Sequence, residues 1–362
     1  MHLAVDALGI KHSGGAMVLL DVLDALLARD DLTRLSLFTS PRATRRFSLP
    51  KDPRIVDYPQ PAVERYYPLR VHWYLRGLAT AVQRIGAQRL LCMAGMGHGG
   101  ATPHITMIQQ ALPFSREALQ GESPRTRLRM RAIRTLMGAS CRRSLRVVAQ
   151  TPTMREWLCD AFDAPPSKVH VTLPTPRLLN TSDALPAPTA MADTPVDRRL
   201  LYVGNTSVYK NVKTLIKAME IVRGQFVDAR LFLTWPEDHR AGRIAGIVPL
   251  GYLTGDALAA AYRHATIVVQ PSLVESGPLT MIEAMQFATP VAVADRPYAH
   301  DICEEAAAFF DPTSAKYCAA TLLRLLGSQE AREGLSKKGE ELLLRRRQTK
   351  PYHEFAELVL RA

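Results

Sequence analysis

The chain alternates short apolar runs with longer segments of helical spacing, and it does so twice along its 362 residues. An apolar run at residues 2–8 precedes a glycine-containing loop and a helical pattern at residues 17–28. The same alternation restarts at residues 200–203, after a proline-rich stretch. Alternating strands and helices are typical of parallel sheets covered by helices. The length exceeds one average core, so the sequence predicts an α/β fold of two Rossmann-like, doubly wound domains.

The proline-rich stretch at residues 174–196 marks the predicted boundary between the domains, because proline interrupts regular elements. The predicted segments are a first domain at 1–174, a linker at 175–199, a second domain at 200–344 and a C-terminal helical segment at 345–362. That last segment either caps the surface or crosses back to the first domain. Open α/β sheets bind ligands at the carboxyl ends of their strands, so a cleft between the two domains is expected to hold the ligand.

Two glutamates, Glu275 and Glu283, stand eight positions apart in the segment QPSLVESGPLTMIEAM. Between them lie Gly277 and Pro278, which are unfavourable inside a helix, so we predict a loop followed by a helix. The apolar run before them is predicted to be a buried strand. A helix N-terminus after a strand presents backbone N–H groups and the positive end of the helix dipole. The segment therefore predicts a site for a phosphorylated, hydroxyl-rich ligand.

A second strand-to-helix turn, in the segment LYVGNTSVYKNVKTLIKAM, carries Gly204 and Lys210. A lysine at this point can reach a diphosphate and neutralise a leaving group without a metal. An ordinary surface lysine is the alternative, but the shared topological position favours a function. Gly14 and Gly15 are expected in the first strand-to-helix loop, where they serve either a close backbone approach to a ligand or a plain tight turn.

Gly95, Gly97 and Gly100 have the G-x-G-x-x-G spacing of a dinucleotide-binding loop. That loop must open a helix, whereas here it leads into Pro103 and a predicted strand, which favours a chance match. Motifs for divalent metals, ATP hydrolysis and acyl-serine chemistry are missing from the sequence. We expect no metal and no cofactor.

The positive charge is concentrated in the first half, where residues 1–174 hold 24 Lys and Arg against 13 Asp and Glu. Nine arginines lie between Arg116 and Arg146, interleaved with Leu, Met and Ile. This pattern fits either a solvated helix face or an anionic membrane surface. Nucleic acid is less favoured, because few aromatic residues accompany the arginines. The candidates for membrane contact are Arg125, Arg127, Arg129, Arg131 and Arg134.

The five cysteines are odd in number and far apart in the sequence. They are typical of reduced, packed thiols in a cytosolic protein. The sequence also shows no signal-peptide core and no run of eighteen apolar residues. We therefore expect a cytoplasmic location, with peripheral contact at the inner face of the plasma membrane.

Four stretches of this chain together resemble the retaining GT-B glycosyltransferases of family 4, the glycosyl transferases group 1, which include bacterial mannosyl- and rhamnosyltransferases of polysaccharide assembly. The stretches are VDALGIKHSGGAMVLLDVL, LYVGNTSVYKNVKTLIKAM, GYLTGDALAAAYRHATIVVQPSLVESGPLTMIEAMQFATPVAVAD and DICEEAAAFFDP. The resemblance is strong over residues 200–312 and weak over much of the first domain. Its most specific element is the pair Glu275 and Glu283.

The resemblance implies that the second domain binds a nucleotide-sugar donor and the first binds the acceptor. Glu283 would hold the ribose hydroxyls, Glu275 would lie near the donor sugar, and Lys210 would bind the diphosphate. Glu275 and Lys210 are the catalytic candidates. The other donor-binding candidates are Glu283, Gly277, Pro278, Leu279, Gly204, Asn205, Gly15, Gly14, Tyr252 and Leu253.

Two positions depart from the pattern of the family. Asn205 stands where many relatives have an arginine, and Gln109 and Gln110 stand where many have a histidine. A glutamine can hydrogen-bond a sugar hydroxyl but cannot act as a base, so these glutamines are candidates for acceptor or sugar binding.

The resemblance therefore implies a retaining glycosyltransferase. It would move a mannose- or rhamnose-like hexose from a nucleotide-diphosphate sugar to a saccharide or lipid-linked acceptor in bacterial surface polysaccharide synthesis, in lipopolysaccharide, capsule or exopolysaccharide. One alternative is a catalytically silent scaffold that binds nucleotide sugars, and a weaker one is an NAD-dependent oxidoreductase.

Overall fold

The computed structural model describes residues 1–10, 14–41, 47–98, 100–175, 179, 182 and 184–361. The chain forms two compact units. The first comprises Met1–Arg116, Ser123–Pro174 and Lys350–Ala362, and the second comprises Glu117–Glu122 and Thr175–Thr349. Each unit is built on one parallel sheet with Rossmann-like α/β connections, which confirms the predicted fold class.

The sheet of the first unit has seven strands in the order β3-β2-β1-β4-β5-β6-β7. The chain begins in the middle of the sheet and builds outwards first on one side and then on the other, so the strand order switches between β1 and β4. Ligands of such sheets bind outside the carboxyl ends of the strands at this switch. The strands are His2–Asp6 (β1), Arg34–Thr39 (β2), Ile55–Pro59 (β3), Arg89–Cys92 (β4), His104–Met107 (β5), Arg146–Ala149 (β6) and Val169–Val171 (β7).

Helices connect these strands, and the first of them begins earlier than the sequence predicts. Gly14 and Gly15 are the first two residues of helix α1, not part of the preceding loop. A helix tolerates glycine at its first positions, where the backbone N–H groups have no partner within the helix. The helices are Gly14–Leu27 (α1), Pro61–Arg65 (α2), Tyr67–His72 (α3), Leu78–Arg84 (α4), Arg116–Gln120 (α5), Pro124–Arg143 (α6) and Pro152–Phe162 (α7), with a π-helical turn at Trp73–Gly77.

Helix α6 carries most of the arginine-rich segment. Ser123 caps its start by accepting a hydrogen bond from the backbone N–H of Thr126 at 3.2 Å. Met130, Met137 and Cys141 face the core of the unit. Within the described part of the chain, no helix is long and apolar enough to cross a membrane.

The sheet of the second unit has six strands in the order β10-β9-β8-β11-β12-β13. Its switch lies between β8 and β11. The strands are Arg199–Tyr202 (β8), Arg230–Leu233 (β9), Ile247–Pro249 (β10), Ile267–Gln270 (β11), Val291–Ala294 (β12) and Ala307–Phe310 (β13). The helices of the chain from the linker onward are Thr189–Ala192 (α8), Val212–Gln225 (α9), Gly255–Arg263 (α10), Leu279–Gln286 (α11), Pro297–Cys303 (α12), Ala315–Gly327 (α13), Gln329–Thr349 (α14) and Pro351–Arg361 (α15).

The core of the second unit lies between this sheet and helices α9 and α13. Leu215 and Val222 of α9 are fully buried there, together with Leu322 and Leu325 of α13. Burial of one such side chain stabilises the fold by about 1.5–3 kcal/mol. The covered sheet holds the strand ends, and therefore the loops that follow them, in fixed positions.

The structure corrects one predicted boundary and adds one short helix to the predicted linker. Helix α14 continues to Thr349, so residues 345–349 belong to the second unit and not to the C-terminal segment. The linker predicted at 175–199 contains the one-turn helix α8, although prolines flank it. A proline that directly precedes a helix does not interrupt it, and Pro188 immediately precedes the first residue of α8. Helix α15 packs against α1 of the first unit.

Candidate functional site

The segment with the two glutamates begins at the carboxyl end of β11, beside the switch in the second sheet. The loop after Gln270 leads to Pro278, and helix α11 starts at Leu279. A strand, a loop and a helix follow one another here, as the Gly-Pro pair predicts. Ser272 at the start of the loop is fully buried, and its hydroxyl oxygen has no hydrogen-bond partner among the described residues.

Glu275 in this loop forms an ion pair with Lys210. The Lys210 Nζ donates to Glu275 Oε1 at 2.5 Å, and only 13% and 12% of the two side chains are exposed. Burial disfavours the charged lysine, but the attraction of Glu275 outweighs it and raises the pKa of Lys210. Sequence reasoning gave each residue a role toward a ligand, whereas the structure also joins them to each other.

The turn that carries Lys210 is fixed to the loop by the backbone. Val208–Lys210 forms a 3₁₀ turn, and the N–H of Leu273 donates to the carbonyl of Tyr209 at 2.9 Å. Asn211 follows with a φ of 55°, and its side-chain amide donates to the carbonyl of Pro312 at 2.8 Å. Asparagine tolerates this left-handed conformation better than most residues, so the sequence favours this turn.

Three tyrosines, Tyr202, Tyr209 and Tyr298, lie near enough to the ion pair for the charge of Glu275 to act on their hydroxyls. Burial raises the pKa of each hydroxyl, and the charge of Glu275 raises it further. Tyr298 donates to the carbonyl of Ser272 at 2.6 Å. All three hydroxyls are therefore neutral donors at physiological pH. Sequence reasoning missed them: Tyr209 is signalled only by its position before Lys210, and Tyr298 by nothing local.

Glu283 lies on helix α11 and has a different partner from Glu275. It accepts a hydrogen bond from the Tyr262 hydroxyl at 2.7 Å. Burial raises the pKa of its carboxyl, and the hydrogen bond from Tyr262 opposes this shift. One glutamate of the pair is thus held by a cation and the other by a neutral hydroxyl. The two carboxylates therefore differ in their electrostatic surroundings.

Gly204 occupies a place that has no room for a side chain. A Cβ there would lie 2.5 Å from the Tyr202 hydroxyl, and the Gly204 carbonyl accepts from the indole N–H of Trp235 at 3.0 Å. The next residue, Asn205, uses its side-chain oxygen to accept from the N–H of Ser207 at 2.9 Å. Asn205 therefore shapes the turn.

The remaining donor-binding candidates of the second unit border the same sheet edge. Gly277, Pro278 and Leu279 lead into α11, and Leu279 is buried. Tyr252 and Leu253 follow β10, and 78% of Tyr252 is exposed. An exposed aromatic ring at a strand end is available for stacking on a planar ligand.

In the first unit, Gly15 and Gln109 are close together. A Cβ on Gly15 would lie 3.6 Å from the Gln109 side-chain oxygen. The Gln109 amide donates to the carbonyl of Met93 at 3.1 Å, and the Gln110 amide makes a weak 3.5 Å contact with the sulfur of Met130. Gly14, Gly15, Gln109 and Gln110 thus lie at the ends of neighbouring elements of the first sheet.

Asp6, at the carboxyl end of β1, is a residue of this edge that sequence reasoning did not assign to the site. It is fully buried and accepts a hydrogen bond from the indole N–H of Trp73 at 3.2 Å. Burial raises the pKa of its carboxyl to about 7, although the bond from Trp73 lowers it. A charged residue inside an apolar strand was the only signal in the sequence.

The loop with Gly95, Gly97 and Gly100 has a structural explanation. All three glycines have positive φ, and a Cβ on Gly97 would lie 2.7 Å from Leu78. The loop runs into strand β5, so it opens no helix. It lacks the helix N-terminus that a dinucleotide pyrophosphate needs.

All five arginines proposed for membrane contact are exposed on helix α6. Leu128 among them is 68% exposed, and the Arg134 guanidinium lies over the Phe114 ring at 5.6 Å. The helix therefore offers a cationic face with one protruding aliphatic side chain. Among the described residues, no group of three or more His, Cys, Asp or Glu side chains is arranged to hold a metal ion.

The second unit is similar to a known protein family. Residues 194–342 match the family model described as glycosyl transferases group 1. This part of the second unit is therefore similar to glycosyl transferases group 1. This chain is also similar to the uncharacterized glycosyltransferase MJ1607 of Methanocaldococcus jannaschii, at 27% identity over 179 residues, which are 45% of this chain and 46% of that protein. The matched stretch thus spans about half the length of that relative.

Solved structures resemble both units of the chain. WaaG, a glycosyltransferase involved in lipopolysaccharide biosynthesis, has a TM-score of 0.77 at 13% identity, covering 99% of this chain and 100% of that one. HepE from Anabaena, in complex with UDP and glucose, has a TM-score of 0.71 at 14% identity and covers 99% of each chain. Sucrose-phosphate synthase from Thermosynechococcus elongatus has a TM-score of 0.70 at 17% identity, covering 95% and 94%. At these identities the likeness shows the fold alone, which is the GT-B fold of two Rossmann-like units.

Proposed function

We propose that this protein is a retaining glycosyltransferase that moves a mannose- or rhamnose-like hexose from a nucleotide-diphosphate sugar to a saccharide or lipid-linked acceptor. The pathway we propose is bacterial surface polysaccharide synthesis. The observation that carries the proposal is the buried pair of Lys210 and Glu275, at the switch of the sheet and within the residues that match glycosyl transferases group 1. A cation at this point suits the diphosphate of a donor.

In the proposed reaction, Lys210 stabilises the negative charge that develops on the departing diphosphate. The bond between the anomeric carbon and the diphosphate oxygen breaks, and the acceptor hydroxyl oxygen forms the new glycosidic bond on the same face. The acceptor proton leaves with a phosphate oxygen. Glu275 contacts the donor sugar, and Glu283 accepts from the ribose hydroxyls. No metal takes part, because Lys210 supplies the positive charge.

The backbone and the first unit complete the proposed site. Gly277 and Leu279 offer N–H groups to the sugar and phosphates, whereas Pro278 offers only its carbonyl. Gly14 and Gly15 let the backbone approach the diphosphate. Gln109 and Gln110 bind hydroxyls of the sugar or acceptor.

The first experiment identifies the nucleotide. GDP, UDP and dTDP are added separately to the protein in EDTA, and we expect one of them to raise the Tm. Sugar transfer is then assayed with the corresponding nucleotide sugars, and NMR of the product is expected to show the anomeric configuration of the donor. An inverted product, or transfer that stops in EDTA, would contradict the retaining or the metal-independent part of the proposal.

A catalytically silent scaffold is the alternative that one observation favours. Asn205 is engaged in its own turn and supplies no cation next to Lys210. Binding of a nucleotide without transfer to any saccharide or lipid-linked acceptor would support the scaffold. An NAD-dependent oxidoreductase has no such support, because the glycine loop opens no helix.

We further propose that helix α6 contacts the anionic inner surface of the plasma membrane, where lipid-linked acceptors reside, so that the protein is cytoplasmic and peripheral. Each exposed arginine near such a surface contributes about 1 kcal/mol. Changing Arg129, Arg131 and Arg134 to Glu is expected to abolish co-sedimentation with phosphatidylglycerol vesicles at low salt. Unchanged co-sedimentation would show that this face has no membrane role.

A further inference from the structure

The ion pair of Lys210 and Glu275 conflicts with the roles proposed for its two members. A lysine that neutralises a diphosphate must direct its ammonium group at phosphate oxygens. In the structure the same group donates to Glu275 Oε1 at 2.5 Å. A carboxylate that remained there would also repel the incoming diphosphate, because like charges at this range are unfavourable.

Burial distinguishes this pair from the other ion pairs of the second unit. The side chains of Lys210 and Glu275 are 13% and 12% exposed, whereas those of Lys338 and Glu305, paired at 3.1 Å, are 51% and 86% exposed. Exposed pairs contribute little because water screens them. A buried pair is different, since loss of one partner leaves a charge without compensation. Lys210 therefore needs an anionic partner at every stage, and Glu275 supplies one before the donor arrives.

We propose that Glu275 is a displaceable counter-ion, which the diphosphate of the donor replaces at Lys210. The exchange keeps the lysine paired throughout and releases the Glu275 carboxylate to contact the donor sugar. This inference rests on the proposed function. It adds that the two residues act in sequence and that donor binding disconnects them.

The surroundings of the pair allow the side chains to exchange without moving the backbone. The hydrogen bond from the N–H of Leu273 to the carbonyl of Tyr209 ties the turn to the loop. The hydroxyl of Tyr298 is bonded to the carbonyl of Ser272 and stays in place. The turn and the loop therefore stay joined while the Glu275 carboxylate changes its partner.

The exchange predicts opposite effects of one substitution on binding and on transfer. Glu275→Gln keeps the shape of the side chain but removes its charge. The diphosphate then no longer competes with a carboxylate for Lys210, so a nucleoside diphosphate should bind about tenfold more tightly. Transfer of the sugar should fall, because the contact of the carboxylate with the donor sugar is lost. If Glu275 only assisted donor binding, the substitution would lower both the affinity and the rate of sugar transfer.

Isothermal titration calorimetry in EDTA tests the exchange, with UDP, GDP, dTDP and inorganic pyrophosphate as separate probes. The matched control is Glu305→Gln, which makes the same chemical change in an exposed ion pair of the same unit and should leave every affinity unchanged. A double-mutant cycle with Lys210→Met separates exchange from simple charge repulsion. In the Lys210→Met background, Glu275→Gln should improve binding by less than about threefold.

The outcomes are distinct. Tighter binding by Glu275→Gln that depends on Lys210 supports the exchange. Equal or weaker binding, or the same gain without Lys210, overturns it while the proposed function stands. Failure of the unaltered protein to bind any of the four probes overturns both. If Glu275→Gln does not fold, as judged by its thermal transition, Glu275→Asp replaces it, and its shorter reach to Lys210 should give a smaller gain in affinity.

Discussion

The carboxyl edges of the two sheets occupy the same topological place but differ in charge. In the second sheet, the carboxylate of Glu275 is paired with the ammonium group of Lys210. In the first sheet, the carboxyl of Asp6 is fully buried, one of its oxygens accepts from Trp73, and the other has no hydrogen-bond partner among the described residues. The pKa of Asp6 is raised to about 7, so it gains a proton as the pH falls below neutrality.

This difference shows how one fold supplies two kinds of binding surface. A buried cation with a removable partner suits an anionic ligand such as a diphosphate. Glutamine amides beside a buried carboxyl of raised pKa suit uncharged hydroxyl groups. The charges at the two edges thus support the proposal that the second unit binds the donor and the first unit binds the acceptor.

The largest effect is expected from removing the cation of the second edge. Lys210→Ala should lower kcat for sugar transfer by about 10²–10³-fold, because one preorganised group that stabilises the leaving charge is lost. It also leaves Glu275 buried without a partner, which costs about 3 kcal/mol of stability. Steady-state kinetics and a thermal melt measure the two effects.

The matched control is Lys213→Ala, one turn further along, where the side chain is exposed on helix α9. Its transfer rate should equal that of the unaltered protein. If Lys210→Ala transferred sugar at more than half the normal rate, the cation of the second edge would have no role in catalysis.

The next effect concerns the carboxyl of the first edge and depends on pH. The folded-state pKa of Asp6 is about 7, above the usual 3.8, so the folded chain binds this proton more tightly than the unfolded chain. Its contribution to stability is therefore fully present below about pH 4 and is lost as the pH rises to 7. Between pH 5 and pH 8, the free energy of unfolding should fall by about 3 kcal/mol relative to Asp6→Asn. Urea titrations of the two proteins measure this difference.

Asp52 provides a control, because its pKa is shifted in the opposite direction from that of Asp6. A side-chain hydrogen bond from Arg54 lowers the pKa of Asp52 to about 2. Asp52 is ionised in the folded and unfolded chain throughout this range, so Asp52→Asn should shift stability equally at pH 5 and pH 8. If Asp6→Asn also gave a constant shift, Asp6 would be ionised in the folded protein and the two edges would not differ in charge.

The smallest effects compare a glycine from each edge. Gly204→Ala places a Cβ 2.5 Å from the hydroxyl of the fully buried Tyr202, and such overpacking costs about 1–3 kcal/mol. Gly15→Ala places a Cβ 3.6 Å from the Gln109 oxygen, an ordinary contact, so its Tm should stay the same or rise slightly. Thermal melts distinguish the two. If Gly15→Ala also keeps its full kcat/KM, the backbone at Gly15 does not approach a ligand.

Local sequence patterns were sufficient to predict many of the strands, loops and helices. The Gly277-Pro278 pair between an apolar run and a helical pattern predicted the loop and helix that carry the two glutamates. The same reasoning placed Lys210 at a strand-to-helix turn. Such features depend on neighbours in sequence, whose conformational preferences add along a short segment.

Contacts between residues that are far apart in the sequence could not be predicted from local sequence patterns. Lys210 and Glu275 are 65 residues apart, and Tyr262 and Glu283 are 21 apart, so only the order of the strands brings each pair together. The start of helix α1 was placed three residues too late, because glycine has a low helix propensity but is tolerated at the first positions of a helix. The end of the second unit was placed too early, since the basic residues at 345–347 suggested a boundary inside helix α14.

Helix α15 also bears on how the protein is made. Its buried residues Phe355, Val359 and Leu360 belong to the first unit, where the helix packs on α1. A ribosome therefore synthesises α1 first, then the whole of Thr175–Thr349, and only then the helix that covers α1. At a synthesis rate of about 5–20 residues per second, the apolar face of α1 remains without α15 for on the order of ten seconds or more. The first unit to leave the ribosome is thus the last to be completed, and nascent chains shorter than about 350 residues are candidates for chaperone binding.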